Sequence, residues 1–323
     1  MKRHFLKLLG ATLASVLLGA AAMAQDYPAK PIRLVAPFAP GGAVDILARI
    51  IGERLSTQYG HNVIVDNKPG ASGHLGAQLV AKAPGDGYTL MVGTIGIHAA
   101  YASYSKLTYK PSSELQPVLV IGEAPNVVLV PANSKYKTFA DFLADAKANA
   151  GKINYASAGA GSSVHMVTEL FQLAIGQRMN HVPYKGSGPA LIDLISGQVD
   201  VMFDNMSSGM PHVHSGKLRV LAVTGPKRDP RLPEVPTIAE AGVPGYSGTS
   251  WFTLAAPASM PAALVARLNQ DVQRVLASPE VVARYDKMGM NYTPNSPAEA
   301  AAFFKSETEK WTRVIEAARI QLD

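Results

Sequence analysis

Two short segments of this sequence combine residue types that could do chemistry. In residues 37–45, Phe38, Ala39 and Pro40 lead into Gly41-Gly42, and Asp45 follows. In residues 157–165, Gly159, Ala160 and Gly161 lead into Ser162-Ser163, and His165 follows. Glycines allow backbone N–H groups to approach a ligand closely. A helix starting just beyond them presents unpaired donors and a partial positive charge. Such a junction favours an anion without any lysine or arginine. The plainer account is that the glycines serve tight turns only. Two such loops, one in each half of the chain, point to a shared cleft.

The same residues admit a second chemistry. Ser162 or Ser163 with His165 would give a serine hydrolase a hydroxyl and an imidazole. No G-x-S-x-G elbow surrounds them, and a serine that caps the helix over a packed His165 is the better account of the pattern. Neither loop is a nucleotide fingerprint, because Gly159-Ala160-Gly161 lacks the third glycine and no Walker lysine follows. No cofactor is implied. His212 and His214 stand beside Pro211 and Gly216 and read as solvated loop residues, not metal ligands. No metal-binding motif occurs. Asp45 complements the N-terminal end of its helix, and beside an anion loop it would hold donors or waters in place. Trp251 and Phe252 read as core.

These loops need elements to position them. Residues 32–36, 62–66 and 88–92 read as strands, with helices following residue 44 and over 75–81. That alternation implies a parallel sheet with crossover helices. A second α/β unit is expected from strands at 153–157, 181–184, 199–203 and 218–224, with helices at 138–150, 164–175 and 189–196. Residues 115–130 read as two strand-like runs separated by Glu123-Ala124-Pro125. Residues 226–248 are rich in Pro and Gly and read as irregular connection. A strand at 251–255 and helices near 262–277 and 298–318 close the chain. The C-terminal helices are expected to return to the first sheet. The fold class is therefore α/β with two lobes, 25–124 plus 247–323 and 125–246, and crossings near Glu123 and Tyr246.

Composition narrows the classes further. Hydrophobic residues make up 47% and charged residues 17% of the 323, which excludes a disordered chain. The sequence has no cysteine, so disulfides, thiolate catalysis and a lipidated cysteine are excluded. Residues 1–24 read as a cleaved secretory signal, with Lys2, Arg3 and Lys7 before an apolar run that ends Ala22-Met23-Ala24. Removing those three bases lowers the formal charge from +6 to +3. No basic cluster marks a nucleic-acid partner, and a monomer is expected.

At these motifs the sequence resembles the solute-binding proteins of tripartite tricarboxylate transporters, the Bug family. The likeness rests on Tyr27-Pro28 with Lys30-Pro31-Ile32-Arg33, on Pro37-Phe38 with Pro40-Gly41-Gly42 and Asp45, on Asn67, Pro69-Gly70-Ala71 and Gly73, and on Asp86-Gly87-Tyr88-Thr89-Leu90. It continues through Gly159, Gly161-Ser162 and His165, then Pro183-Tyr184-Lys185-Gly186, Gly197 with Val199-Asp200, and Pro236-Thr237 with Glu240 and Gly242. The resemblance implies a periplasmic Venus-flytrap protein of type II with two crossover strands. It implies capture of a carboxylated solute for the membrane subunits of a tripartite tricarboxylate-type transporter, without catalysis. It places the carboxylate between Phe38, Ala39, Pro40, Gly41, Gly42 and Asp45 on one side and Ala160, Gly161, Ser162, Ser163 and His165 on the other. Thr94, Tyr184, Ser187 and Asn205, at predicted strand ends, are expected at the far end of the solute.

Overall fold

A computed structural model describes residues 27–320 and 322; the signal expected at 1–24 lies outside them. The first unit runs β1 (Ile32–Ala36), α1 (Ala43–Tyr59), β2 (Val63–Asn67), α2 (His74–Ala81), β3 (Thr89–Thr94), α3 (Ile95–His98) and α4 (Pro111–Glu114). A long strand, β4 (Leu115–Pro131), leads to α5 (Phe139–Ala148), β5 (Asn154–Ser157), α6 (Ser163–Ile175), β6 (Asn180–Pro183), α7 (Ser187–Ile195), β7 (Val201–Asn205), α8 (Met206–His214) and β8 (Leu218–Val223). The chain ends with β9 (Thr249–Pro257), α9 (Ala262–Leu276), α10 (Pro279–Lys287) and α11 (Pro297–Ala318).

In the first unit β1 pairs in parallel with both β2 and β3. Helix α1 forms the first crossover because Val44, Leu47, Ile51 and Leu55 fall on one buried face. Burying each Leu or Ile contributes roughly 1.5–3 kcal/mol. The helix stops at Gly60, whose φ of 67° is the left-handed conformation glycine adopts without steric cost. In the second unit β5 pairs in parallel with β6 and β7. Helix α5 opens with a capping box between Thr138 and Asp141, as its sequence predicts.

The two units meet along β4. Its residues up to Pro125 pair antiparallel with β9, and those from Asn126 pair antiparallel with β7 and β8. The sequence suggested two runs here; the structure has one 17-residue strand. Pro125 interrupts the pattern without ending the strand, because it stands where the strand changes partners and a missing N–H is tolerated.

Three further differences have local causes. His212 and His214 lie in the last turn of α8, not in a loop. Gly209 and Pro211 hide that helix in the sequence, but Met206 and Met210 anchor it in the core. Helix α10 escaped the reading because it is nine residues long, starting on Pro279 just after its N-cap Ser278. Helix α9 packs on α1 and β4, where the first sheet lies. Helix α11 instead buries Trp311, Ile315 and Ala318 in a cluster with Phe171 and Phe203 of the second unit. The indole N–H groups of Trp251 and Trp311 both donate to Glu307 Oε2, at 2.7 and 2.9 Å.

Candidate functional site

Five helix starts converge on one small chamber. Gly42, Thr94, Ser162 and Asn205 are the N-caps of α1, α3, α6 and α8, and Ser187 is the first residue of α7. Phe38, Ala43, Val44, Ala158, Ser163 and Phe252 complete the wall. No lysine or arginine is among these lining residues. The starts of the longer helices, α1 and α6, each carry the equivalent of roughly half a positive charge. The first-turn N–H groups have no carbonyl partner within their helices. Only Ser162 among the four N-caps makes a side-chain cap bond. The electrostatics of this chamber therefore favour an anion, although its walls carry no formal cation.

The first loop spends some of its own donors on shape. Gly41 has φ 86°, and its N–H donates to Asp45 Oδ2 at 3.1 Å. The Asn67 amide donates to the Phe38 carbonyl and to Asp45 Oδ1, both at 3.0 Å. Arg49 pairs with Asp45 at 2.9 Å. Burial would raise the Asp45 pKa, but the bonds from Arg49, the Gly41 N–H and Asn67 outweigh it and hold the carboxyl below its ordinary value. Asp45 thus fixes the loop as an anion itself. Ala39 N–H is taken by the Lys185 carbonyl at 2.9 Å, and Pro40 has none to give. The donors left at the chamber wall are the N–H groups of Ala43 and Val44 in the first turn of α1.

The second loop repeats the arrangement. Gly161, at φ 81°, donates its N–H to His165 Nδ1 at 2.9 Å. Ser162 Oγ accepts the His165 N–H at 3.3 Å. The acceptor role of Nδ1 puts the ring proton on Nε2, which faces Glu169 Oε1 at 3.5 Å. The ring stacks on His181 at 4.1 Å. His165 is therefore a buried support for the loop, and both ring nitrogens point at groups other than the serine hydroxyls. That geometry gives no activated nucleophile. A serine–histidine bond exists at Ser157 and His181, 2.6 Å apart, but Ser157 is fully buried.

The far wall mixes satisfied and unsatisfied groups. Thr94 Oγ1 and Asn205 Oδ1 are buried in residues 2% and 4% exposed and have no hydrogen-bond partner among the described residues. Unpaired buried polar atoms cost free energy, and both residues stand on the chamber wall. Ser187 donates to Asp204 Oδ1 at 2.7 Å. Tyr184 is turned away: its hydroxyl donates to Asp193 Oδ2 at 2.7 Å, and it does not line the chamber. Ala39, Pro40, Gly41 and Ala160, expected at the site, are not among the lining residues; the Ala160 carbonyl accepts from the Tyr104 hydroxyl. Asn67, seen in sequence only as part of a turn motif, and Asp204, unmarked there, act as supports. Phe252 lines the chamber rather than serving the core alone, while Trp251 is core as expected.

The chamber is drawn nearly shut, with about 20 Å³ of free space, enough for about one water. A larger cavity of about 690 Å³ lies elsewhere, between residues 225–231 and 286–303 and beside the β4 handover. Two of its arginines are already paired, Arg231 with Asp229 of the lining at 2.5 Å and Arg228 with Glu240 outside it at 2.8 Å. It has neither converging helix starts nor orphaned polar atoms, so size does not make it the better site.

Residues 47–320 match the family described as the tripartite tricarboxylate transporter family receptor. A protein encoded in the tcbD–tcbE intergenic region of Pseudomonas sp. strain P51 is 40% identical, over 90% of this chain and 86% of its own length. Among solved structures, R. palustris Rpa4515 with adipate superposes with a TM-score of 0.88 at 39% identity, covering 92% of this chain and 99% of that one. MatC (Rpa3494) from Rhodopseudomonas palustris with bound malate gives 0.85 at 33% identity, covering 90% and 100%.

Proposed function

The chain belongs to the tripartite tricarboxylate transporter receptor family, and from that premise we propose that it captures a carboxylated organic solute in the periplasm. It hands that solute to the membrane subunits of a tripartite tricarboxylate-type transporter and does no covalent chemistry on it. The observation that carries this reading is the convergence of helix starts, without a basic side chain, on unpaired Thr94 and Asn205. The N–H groups of Ala43 and Val44 face those of Ser163 and Val164, and between them they grip one carboxylate. The bound states of the adipate and malate relatives support the same class of ligand here.

Capture requires movement. A chamber of about 20 Å³ cannot admit an organic acid, so the units part and close again by flexing near Glu123–Pro125 and residues 245–248. The lobes that move are 25–124 with 247–323 and 125–246, with α11 spanning the back. The expected signal at 1–24 delivers the chain to the periplasm, and it works as a monomer. A thermal-shift screen of carboxylic acids tests the reading. An acid at 100 times its Kd adds about 2.7 kcal/mol of stability. No stabilisation by any di-, tri- or aromatic carboxylate or amino acid would contradict it.

A further inference from the structure

The second loop is clamped from both units. Within its own unit, the Gly161 N–H donates to His165 Nδ1 at 2.9 Å. From the first unit, the Tyr104 hydroxyl donates to the Ala160 carbonyl. A Cβ built on Gly161 would stand 2.7 Å from Leu322 Cδ1 and 2.8 Å from the Tyr104 hydroxyl oxygen, and one on Gly96 would stand 2.4 Å from the Gly161 carbonyl oxygen. With the units together, Gly161 has little room to turn. Its bond to His165 also works in one protonation state only. Nδ1 accepts while it carries no proton, and the ring already bears a proton on Nε2, 3.5 Å from Glu169 Oε1. A second proton would have to sit on Nδ1. Two N–H donors would then face each other at a residue only 4% exposed, and turning Gly161 away is what relieves them. The parted units permit that turn; the closed ones resist it.

We infer that His165 is a pH gate on the site: a proton taken up at Nδ1 unseats the second loop, disfavours closure and releases the solute. The inference rests on the carboxylate reading above and adds regulation to it. Histidine is the side chain that ordinarily changes charge between about pH 5 and 8, and the groups facing this ring do not. On its own helix stands Glu169; burial opposes its charge, but His165, Tyr155 and Arg178 hold its pKa at about 2. Arg178 is paired with that carboxylate at 2.5 Å. From β6 the His181 ring stacks at 4.1 Å, its pKa brought down to about 3 by burial and by His165. From β5 the Tyr155 ring stacks at 6.3 Å, and burial pushes its hydroxyl up. From the first unit Tyr104, at the same loop, is pushed up to about 12 by burial. Solute and proton therefore oppose each other, and by linkage each weakens the binding of the other.

Calorimetry on the mature chain from pH 8 to pH 5 tests this, with adipate, malate and the strongest acid of the thermal-shift screen. Wild-type affinity should fall roughly 10-fold or more across that range. The solute's own titration is separated by comparison with His165→Asn, which presents Oδ1 near the position of Nδ1 and takes up no proton there. That variant should bind like the wild type at pH 8 and lose only what the solute's titration takes at pH 5. His165→Ala, without an acceptor, should already bind more weakly at pH 8. Tyr104→Phe removes one clamp and leaves the buried ring untouched, so it is the safer variant, and its profile should be flatter than the wild type's. Thermal unfolding at each pH checks that every variant is folded. A wild-type profile that matches a folded His165→Asn overturns the inference and leaves the carboxylate reading standing. If His165→Asn does not fold, an unflattened Tyr104→Phe profile overturns it. Tighter binding at pH 5 than at pH 8, the result of simple attraction between a charged ring and the solute, also overturns it. Failure of all three acids at pH 8 overturns the carboxylate reading and this inference together.

Discussion

The Ala39 N–H donates to the Lys185 carbonyl at 2.9 Å, joining the loop after β1 to the loop after β6. Beside this bond, and again between α3 and the loop after β5, the two units come closer than side chains would permit. A Cβ built on Gly188 would stand 2.2 Å from the Pro40 carbonyl oxygen, and one on Gly96 would stand 2.4 Å from the Gly161 carbonyl oxygen. Closure of the cleft therefore depends on glycine for contact distance.

Gly188→Ala exploits that dependence. Its φ lies outside the left-handed range, so alanine is locally acceptable in the second unit. The methyl group cannot pass Pro40, and the expected result is a chain that folds but stays ajar. Small-angle scattering should show the wild-type radius of gyration falling when a binding acid is added and the variant's radius unchanged. A variant that compacts like the wild type would show that these loops do not meet on binding.

The paired serines of the second loop divide two tasks. Ser162 Oγ caps α6 by accepting the His165 N–H, whereas Ser163 lines the chamber and its hydroxyl has no hydrogen-bond partner among the described residues. Ser162→Ala should cost about 1 kcal/mol of stability, the usual value of a cap. Ser163→Ala should leave stability near the wild type and weaken acid binding by about 1.5–3 kcal/mol, the range for a hydrogen bond to a charged group. Urea unfolding and calorimetry on both variants separate the roles; the reverse assignment of losses would refute this division.

These roles show how far the sequence alone reaches. Gly41-Gly42 and Gly159-Ala160-Gly161, each just before an amphipathic run, mark both anion loops because backbone geometry is written in glycine positions. Thr94, Ser187 and Asn205 were accessible as polar residues at strand ends. Tyr184 looked the same in sequence, but which way a side chain turns depends on a partner such as Asp193, and partners are set by packing. Asp204, next to Asn205, gave no sign, since a buried carboxylate and a surface one are the same letter. Helix α11 was visible as a helix, but its docking on the second unit depends on Trp311 and Glu307 meeting Trp251, a relation across 56 or more residues that no local pattern carries.

Acid sensitivity should centre on Glu169, under the second loop. Burial would raise its pKa, but His165, Tyr155 and Arg178 outweigh that and hold it down at about 2 against an ordinary 4.5. A carboxyl depressed in the folded state stabilises the fold above its unfolded pKa, and that stabilisation is lost as pH falls from about 4.5 through about 2. The stake is roughly 3 kcal/mol. Glu169→Gln should be less stable than the wild type at pH 7, and the gap should shrink as pH falls through that window. Urea midpoints at pH 7, 4 and 3 measure it. A gap that does not change with pH would place the acid sensitivity elsewhere.

On this reading a carboxylate sits between the starts of α1 and α6, held by backbone donors. A crystal structure with an acid chosen by the thermal-shift screen tests it most directly. The expected result is a carboxylate whose oxygens lie about 2.7–3.2 Å, directly or through one water, from the N–H groups of Ala43 or Val44 and of Ser163 or Val164, with the rest of the solute towards Thr94, Ser187 and Asn205. An acid bound instead in the larger cavity beside Glu123, with the chamber between the two loops empty, would contradict the account.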